Sequence, residues 1–572
     1  MIRRVGSATL QCLLLIALTL GCRPLSPKNG HGRPGGLGPV TDHAMVVSAH
    51  PMATAIGVDV LRAGGNAVDA AVAVHWALAV TTPWAGNIGG GGFAVLRLSD
   101  GQAMALDFRE TAPARSTGNM FLGPNGDAEH DKSTYGALAC GVPGSVAGLF
   151  ALHDSLGRLP MARLIQPAID LARDGCRLTP MEAHELNSCL PMLSKYSTQP
   201  SAFTSRKQWH AGDLFLQPEL ARTLERIRDE GAAGFYGGST AAAIVAEMER
   251  GGGLIDAQDL ASYRPVWRPV VKGRYRDVEV IGMPPPSSGG IMVLQMLQGM
   301  ESLNVHGSGW QTAATVHRMV EVERRAFADR SVHYGDPAFS SVPMTGMLDS
   351  LYIRGRMKSF NPRQATPSAL IAAGMPITEH EETTHFSIVD AEGNAVSCTT
   401  TLNGAYGSGV VVGGAGFVLN NEMDDFSAAP GVPNSYGLIG GQANAVAPGK
   451  RMLSSMSPTI ITRGGRLFMV VGSPGGSTIP TSVFQVILNV VDHGMGMQQA
   501  VSAPRFHHQW LPDSIQVEVG ALAPEDSMQL VRMGHRFKAR RPIGRVDAVL
   551  CLPDGRLEGG ADPRGEDAAA GY

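Results

Sequence analysis

The order in which helical and strand patterns follow one another constrains the fold of this chain more than any other feature. Residues 51–80 carry two helical patterns, and the middle of the chain, roughly 159–330, is mostly amphipathic helix. After residue 382 the pattern changes to short β-branched and aromatic runs, which are typical of strands. Helices first and strands later fit either two domains or one layered fold whose sheets are covered by the early helices. The strand patterns lie at 384–390, 395–402, 417–421, 459–473 and 548–560, and one helical pattern, 481–494, interrupts them.

Two helices and a hairpin are predicted near the start of the folded body. The glycine pair 64–65 stops the first helix, and Asn66 is the expected N-cap of the second. The second helix is apolar nearly all round, so we expect it to be buried. A hairpin follows, with strands at 93–98 and 103–108. The glycines at 89–92 do not predict a dinucleotide site, because they follow a helix and precede a strand, the reverse of that fingerprint.

Charge and composition exclude one large class of partner. Charged residues make up only 17% of the chain, the net charge is -3, and the isoelectric point is about 6.6. Binding of nucleic acid would require a basic face or stripe, so we expect no nucleic-acid partner. The 71 glycines and 37 prolines indicate a turn-rich enzyme core instead.

The first residues have the features of an export signal. Two arginines precede an apolar run that ends at Leu20, and Gly21 stands before Cys22. The run is too short to cross a ~30 Å hydrocarbon layer as a helix, so residues 1–21 are interpreted as a signal peptide. The stretch LTLGC also resembles a bacterial lipoprotein box, in which Cys22 would be lipidated. Residues 22–43 are rich in Pro and Gly and are predicted to be a flexible linker. We therefore expect an exported protein that is periplasmic or anchored to the membrane by that lipid.

Cysteines and histidines do not predict a metal site. The five cysteines of the body contain no C-x-x-C pair, and either one bridge, Cys176 to Cys189, or buried free thiols would fit. The stretch HEETTH, from His380 to His385, is one residue too long for a zinc-protease motif. The stretch FHHQW lacks a third ligand nearby. We interpret these histidines as structural and expect no metal.

A polar, poorly patterned segment ends abruptly where a strand pattern begins. The stretch GMPITEHEE ends at Glu382 and is followed by Thr383 and Thr384. Threonine favours strands through its branched side chain alone, but a loop of this kind is also a place where a chain can be cut. A break before Thr383 would give this residue a free α-amino group with a reference pKa of about 7.7 to 8.0. That amine would activate the hydroxyl of the same residue as a nucleophile, whereas Thr384 is interpreted as a strand residue only.

Six stretches, in order along the chain, carry a family resemblance. They are TTHFSIVDAEGNAVSCTTTLN, LNNEMDDFSAAPGVPNSYGLIGG, RMLSSMSPT, GSPGGS, APRFHHQWLPD and the C-terminal ADPR…AGY. Together they resemble the γ-glutamyltranspeptidases, N-terminal-nucleophile hydrolases that cleave themselves, and the resemblance covers about Ala44 to Tyr572. It implies an α+β fold, a four-layer αββα sandwich. This single intertwined domain would be made from a large subunit (44–382) and a small catalytic subunit (383–572), which form a heterodimer without a cofactor.

The resemblance also implies roles for individual residues. A γ-glutamyl group presents an α-carboxylate, an α-ammonium and a scissile carbonyl, so its pocket needs a cation, an anion and an oxyanion hole. Some members carry Gln at Glu422; an ionised Glu422 beside Asp425 would either favour the ammonium or raise a carboxylate pKa. The implied assignment is Thr383 as nucleophile, cleaved from Glu382; Arg109, Ser454 and Ser455 for the carboxylate; Asp425, Asn403 and Glu422 for the ammonium; Gly475 and Gly476 for the oxyanion; Thr401 beside the nucleophile; and Tyr436 on a lid.

The implied reaction has two steps, and two other functions stay open. Thr383 would attack the γ-amide of glutathione or a related compound, and water or an acceptor amino acid or peptide would then take the γ-glutamyl group. A cephalosporin acylase of the same superfamily would attack a glutaryl amide, which lacks the α-ammonium, and Asp425 argues against it. An unprocessed lipoprotein that only binds peptides or a partner is the non-enzymatic alternative.

Overall fold

Two seven-stranded sheets lie at the centre of the structure. The computed structural model describes residues 36–303, 308–372, 383–427 and 441–572. Within these residues the strands are, in chain order, β1 (Val40–Thr41), β2 (Met45–Ser48), β3 (Gly91–Arg97), β4 (Ala103–Asp107), β5 (Cys176–Arg177), β6 (Leu214–Phe215), β7 (Val266–Arg268), β8 (Val271–Tyr275), β9 (Val278–Gly282), β10 (Thr383–Val389), β11 (Ala395–Thr401), β12 (Thr459–Arg463), β13 (Arg466–Gly472), β14 (Phe506–His507), β15 (Ile515–Val517), β16 (Phe537–Ala539), β17 (Asp547–Cys551), β18 (Leu557–Gly560) and β19 (Ala568–Gly571).

The two large sheets pack face to face through an apolar layer. One has the strand order β1-β18-β17-β13-β12-β9-β8 and the other β19-β2-β10-β11-β3-β4-β7, and neighbouring strands are antiparallel in both. Phe93 and Val95 from one sheet and Ile460 and Val470 from the other belong to the same buried cluster. The Ser397 hydroxyl also crosses the interface, donating to the Val471 carbonyl at 3.1 Å. The central strands β10 and β11 are therefore covered on the face that meets the opposite sheet.

Helices cover the outer face of each sheet. Every residue of α2 is buried, in the core between the early helices and the sheet that contains β10. Helices α11, α12 and α15 contribute to the core on the other sheet. The resulting αββα order confirms the predicted α+β sandwich. In chain order the helices are α1 (Pro51–Arg62), α2 (Ala67–Thr81), α3 (His130–Thr134), α4 (Ser145–Leu156), α5 (Met161–Asp174), α6 (Pro180–Tyr196), α7 (Pro218–Glu230), α8 (Ala233–Tyr236), α9 (Gly238–Gly251), α10 (Ala257–Ser262), α11 (Gly289–Ser302), α12 (Ala313–His333), α13 (Met344–Met347), α14 (Ser350–Met357), α15 (Thr478–Val491), α16 (Met497–Ser502) and α17 (Pro524–Arg532).

Local signals near the start of the body predicted the structure well. Asn66 caps α2 with a full capping box, in which its side chain accepts from the Val68 and Asp69 backbone and Asp69 accepts from the Asn66 backbone. The predicted hairpin is formed by β3 and β4. The predicted helix at 481–494 begins three residues earlier, at Thr478, and ends at Val491.

One strand prediction is wrong, and three strands of the two large sheets were not predicted. The stretch 417–421 is not a strand, because its pairing is limited to a single bridge between Val411 and Val418. The region 159–330, predicted to be mostly helical, also supplies β7, β8 and β9 to the two sheets. Each of these strands has only three to five residues, which is too few for a clear periodic signal.

Two observations bear on other expectations from the sequence. Cys176 and Cys189 are both free thiols, so the bridge between them is not formed. No helix in the described ranges combines the length and the apolar composition that a membrane crossing requires. The predicted signal peptide, Cys22 and most of the predicted linker lie outside the described residues.

Candidate active site

Thr383 is the first residue of β10, at the open end of the hairpin that β10 forms with β11 in one of the two large sheets. It stands opposite Thr401 in the antiparallel register of β10 and β11. The Thr401 hydroxyl accepts a hydrogen bond from the Asn403 backbone N–H at 2.7 Å. Thr383 itself is only 8% exposed, and it lines a cavity of about 180 Å³ together with Gly475. The strand thus presents the predicted nucleophile to this cavity.

Gly475 and Gly476 form the turn that leads into helix α15. Their φ angles are +125° and +53°, a region that favours glycine. Within the described part of the chain, neither backbone N–H has a hydrogen-bond acceptor, whereas the Gly475 carbonyl accepts from Thr478 N–H at 3.0 Å. A helix N-terminus with free N–H groups stabilises negative charge. The turn therefore offers backbone N–H groups, and Gly475 lines the same cavity as Thr383.

Arg109 lies just after β4 and is held entirely by acidic and backbone groups. Its guanidinium contacts Glu422 at 2.5 Å, forms an ion pair with Asp425, and lies 3.6 Å from Glu110. Burial alone would lower its pKa, but the carboxylates of Glu422, Asp425 and Glu110 raise the pKa above its ordinary value. Arg109 is therefore charged in this site. Its guanidinium, which is expected to bind the donor carboxylate, contacts the carboxylates of Glu422 and Asp425 here.

The three carboxyl groups around Arg109 all have raised pKa values. Burial raises the pKa of Glu110 to about 7 and that of Asp425 to about 6, with Arg109 opposing both shifts. Burial also raises the pKa of Glu422 well above its ordinary value, and repulsion from Glu110 and Asp425 adds to it. Like-charge repulsion at Glu422 thus adds to the larger effect of burial on its pKa.

Ser454 and Ser455 lie in a buried segment that is tied to two other parts of the chain. The Ser454 carbonyl accepts from the Ser288 backbone N–H at 2.8 Å, and Ser454 N–H donates to the Pro286 carbonyl at 3.0 Å. The Ser455 hydroxyl accepts a hydrogen bond from Arg330 at 3.0 Å. The preceding carbonyl, that of Leu453, is within 3.4 Å of Arg109. The residue before the two serines therefore contacts the Arg109 guanidinium, and Arg330 contacts the second serine.

Asn403 connects the nucleophile strand to the acidic turn. It has a positive φ of +74°, and its side-chain amide donates to the Asn421 carbonyl at 3.0 Å, one residue before Glu422. A continuous series of contacts thus runs from Thr383 through Thr401 and Asn403 to the turn that holds Glu422. Tyr436 and Glu382 lie outside the described residues, as does Cys22.

Comparison with known proteins identifies the family. The family model for γ-glutamyltranspeptidases matches residues 53–572. A glutathione hydrolase proenzyme from Escherichia coli is 45% identical over 532 residues, which cover 92% of each chain. This chain belongs to the γ-glutamyltranspeptidase family. Among solved structures, a cephalosporin acylase from Bacillus halodurans has a TM-score of 0.82 at 27% identity, covering 96% of this chain and 99% of its own. The γ-glutamyltranspeptidase of Helicobacter pylori has a TM-score of 0.56 at 42% identity, covering 60% of this chain and 97% of its own.

Three residues at the site were not predicted from the sequence: Glu110, Asn444 and Arg330. Glu110 follows Arg109 directly, and its position in the DFRE stretch was the available signal. Asn444 donates to the Asp425 carbonyl at 2.7 Å and accepts from Leu453 N–H at 3.0 Å, so it joins the acidic turn to the serine segment. Arg330 contacts Ser455 from helix α12. For Asn444 and Arg330 no local sequence pattern signals the role.

The candidate histidines that the structure describes, His385, His507 and His508, have protein partners. His385 contacts the Thr399 hydroxyl at 2.9 Å and the Ser387 hydroxyl at 3.0 Å, and burial lowers its pKa to about 3. His507 contacts the Thr481 hydroxyl at 2.8 Å, and His508 lies 3.3 Å from Asp513. These contacts support the structural interpretation, while His380 lies outside the described residues.

One cluster in the described residues brings His and Glu side chains within metal-binding distance of each other. His50, Glu182 and Glu566 have ligand atoms within 4.8 Å of one another. The His50 Nδ1 atom accepts from the Met52 backbone N–H at 3.2 Å, so the ring proton is on Nε2, which faces Glu182 at 3.2 Å. A protonated Nε2 has no lone pair for a metal. The contact between His50 and Glu182 is therefore a hydrogen bond from Nε2–H to the carboxylate.

Proposed function

We propose that this chain is a self-processing γ-glutamyltransferase and glutathione hydrolase in which Thr383 is the nucleophile. The observation that carries the proposal is the position of Thr383, at the start of a strand and in one cavity with the Gly475 turn. The name of the E. coli relative, a glutathione hydrolase proenzyme, supports both the activity and the cleavage.

Self-cleavage precedes catalysis in this proposal. The Thr383 hydroxyl attacks the carbonyl carbon of Glu382, the peptide C–N bond breaks, and the acyl group moves to the hydroxyl as an ester. Water hydrolyses that ester, which frees the Glu382 carboxylate and the Thr383 α-amine. The products would be a large subunit ending at 382 and a small subunit of residues 383–572, which remain associated because β10 pairs with β2 of the large subunit.

The same hydroxyl then reacts with substrate. The new α-amine takes the hydroxyl proton as the oxygen attacks the γ-amide carbonyl, and the Gly475 and Gly476 N–H groups stabilise the oxyanion. The amide C–N bond breaks, the amine product takes the proton, and a γ-glutamyl ester remains on Thr383. Water releases glutamate from this ester, or an acceptor amine forms a new γ-glutamyl amide.

Substrate binding requires the ion pair between Arg109 and Asp425 to open. The α-carboxylate of the donor would replace Asp425 on the guanidinium, with Ser454 and Ser455 adding hydroxyl donors. The α-ammonium would replace the guanidinium on Asp425, with Glu422 and Asn403 nearby. Each charge exchanges one partner for another, so the zwitterion is bound without leaving a buried charge unpaired. Tyr436 would lie on the lid over this pocket.

A second candidate is acylase activity, which the likeness to a cephalosporin acylase structure favours. A glutaryl donor carries the carboxylate for Arg109 but no ammonium for Asp425. Turnover of γ-glutamyl and glutaryl 4-nitroanilides by the purified enzyme separates the two functions, and we expect kcat/KM to be higher for the γ-glutamyl donor. A higher value for the glutaryl donor would assign the acylase activity, and a single uncut chain without turnover would assign the non-catalytic binding lipoprotein.

The proposal also covers export, membrane anchoring and small-molecule partners. Residues 1–21 would direct export, Cys22 would carry a lipid if the lipoprotein box is used, and residues 22–43 would link the anchor to the body. Glutathione, other γ-glutamyl compounds, and amino acid or peptide acceptors would be the small-molecule partners. Extraction of the protein from membranes, before and after Cys22→Ser, tests the anchor.

A further inference from the structure

Arg330 is a buried cation that no assigned role uses. It lies near the end of helix α12, and it is only 4% exposed. Its Nε donates to the Ser288 hydroxyl at 3.1 Å, and its Nη2 donates to the Ser455 hydroxyl at 3.0 Å. Ser288 belongs to the MPPPSSGG stretch and Ser455 to the LSSM stretch, so one guanidinium joins two segments at the candidate pocket.

The direction of these hydrogen bonds fixes the Ser288 and Ser455 hydroxyls. A guanidinium only donates, so each serine oxygen that contacts Arg330 must accept and must send its own proton elsewhere. The Ser288 hydroxyl sends its proton to the Ser454 carbonyl at 2.9 Å, which pins the backbone of the serine segment. The Ser455 hydroxyl likewise directs its proton away from Arg330, and it therefore acts as a donor to a group other than Arg330.

The charge of Arg330 also acts on the same pocket. Asp425, whose pKa burial raises, feels an opposing effect from Arg330 as well as from Arg109. Two guanidinium groups therefore act on this pocket: Arg109, which contacts Glu422 and Asp425 directly, and Arg330, whose charge acts on Asp425. When a donor carboxylate enters, the second cation offsets the added negative charge.

We propose that Arg330 is a positioning residue for the α-carboxylate of the donor, because it holds the Ser455 hydroxyl as a donor and adds a second positive charge to the subsite. The proposal rests on the γ-glutamyl function given above. It makes the subsite selective for donors that carry the α-carboxylate, in addition to any selection by Arg109.

Two donors that differ only in this carboxylate test the proposal. The γ-glutamyl 4-nitroanilide carries both the carboxylate and the ammonium, whereas the 4-aminobutyryl 4-nitroanilide keeps the ammonium and lacks the carboxylate. The measured quantity is the ratio of kcat/KM for the first donor to kcat/KM for the second. Because the second donor is expected to react slowly, its turnover is measured at high enzyme concentration. In Arg330→Gln and in Ser455→Ala we expect this ratio to fall by about 10- to 100-fold, as for loss of a hydrogen bond to a charged group. The loss should appear mainly in KM for the γ-glutamyl donor.

Coupling between Arg330 and Ser455 separates positioning from general damage. The double variant should lose little more than Arg330→Gln alone, because that variant has already lost both the charge and the group that orients the Ser455 hydroxyl. Arg325→Gln is the matched control: Arg325 is also buried on α12, but it pairs with Glu321 and contacts Ser359. Arg325→Gln is expected to lower thermal stability and leave the donor ratio within about threefold.

The outcomes are distinct. A processed Arg330→Gln enzyme with an unchanged donor ratio, or with equal losses on both donors, overturns the positioning role. If Arg330→Gln does not process, Ser455→Ala carries the test, because it removes the hydroxyl that Arg330 orients, and a ratio unchanged in that variant also overturns the role. Failure of the wild-type enzyme to turn over either donor would instead refute the proposed γ-glutamyl function.

Discussion

Replacement of Gly475 by alanine tests the proposed oxyanion site in isolation. A Cβ at this position would stand 2.6 Å from the Thr478 hydroxyl and 3.2 Å from the Gly544 backbone, and the φ of +125° is unsuited to an L side chain. The turn must shift, and its N–H groups then no longer meet the oxyanion. Loss of one such donor lowers kcat by about 10²- to 10³-fold, or roughly 2.7 to 4 kcal/mol. We expect a loss of this size in release of 4-nitroaniline from the γ-glutamyl donor, with little change in KM.

A control variant separates this effect from backbone strain. Gly555, at the turn between β17 and β18, also has a positive φ, +91°, but an added Cβ there meets nothing within 4 Å. Both substitutions should destabilise the fold by about 1 to 3 kcal/mol through strain, measured by thermal unfolding. Only Gly475→Ala should lower kcat. A processed Gly475→Ala enzyme whose kcat stays within about threefold of wild type would refute the oxyanion assignment.

Three further predictions address charge and stability. Burial raises the pKa of Asp425 to about 6, and the substrate ammonium needs the ionised carboxylate. The ratio of kcat/KM for the γ-glutamyl donor to kcat/KM for the glutaryl donor should therefore reach its maximum above pH 6 and fall as the pH drops through 6. A constant ratio between pH 8 and pH 5 would contradict this. Asp425→Asn should lower γ-glutamyl kcat/KM by about 10²- to 10³-fold, as for a broken buried ion pair, and lower glutaryl turnover far less, which steady-state kinetics on both anilides would measure. Asn66→Ala removes the α2 cap and a 2.7 Å bond to the Leu156 carbonyl, and should reduce the free energy of unfolding by about 1 to 2 kcal/mol, whereas exposed Asn119→Ala should not.

The sequence predicted those parts of the fold whose signals are local. The α2 cap at Asn66 and the hairpin of β3 and β4 depend on residues within a few positions of each other, and both predictions are confirmed. The strand predicted at 417–421 was wrong because apolar character alone does not create a pairing partner. The four layers depend on contacts between distant parts of the chain, so only the family resemblance predicted them.

The candidate site shows the same division. The resemblance placed Arg109, Asp425 and the two serines in one pocket, and in the structure Arg109 contacts Asp425 and the carbonyl of Leu453, the residue before the serines. It did not predict that Arg109 and Asp425 pair with each other, since that contact joins residues 316 positions apart. Arg330 is 125 positions from Ser455, and its helix reads as an ordinary amphipathic element. Such partners become visible only when the chain is folded.

The most direct test of the central claim is intact mass and N-terminal sequencing of the purified, active protein. The account predicts a chain that begins with Thr383 and contains the last 190 residues, and a Thr383→Ala variant that stays uncut and inactive. A fully active protein in which residues 382 and 383 remain joined, or a Thr383→Ala protein that still splits at this bond, would contradict it.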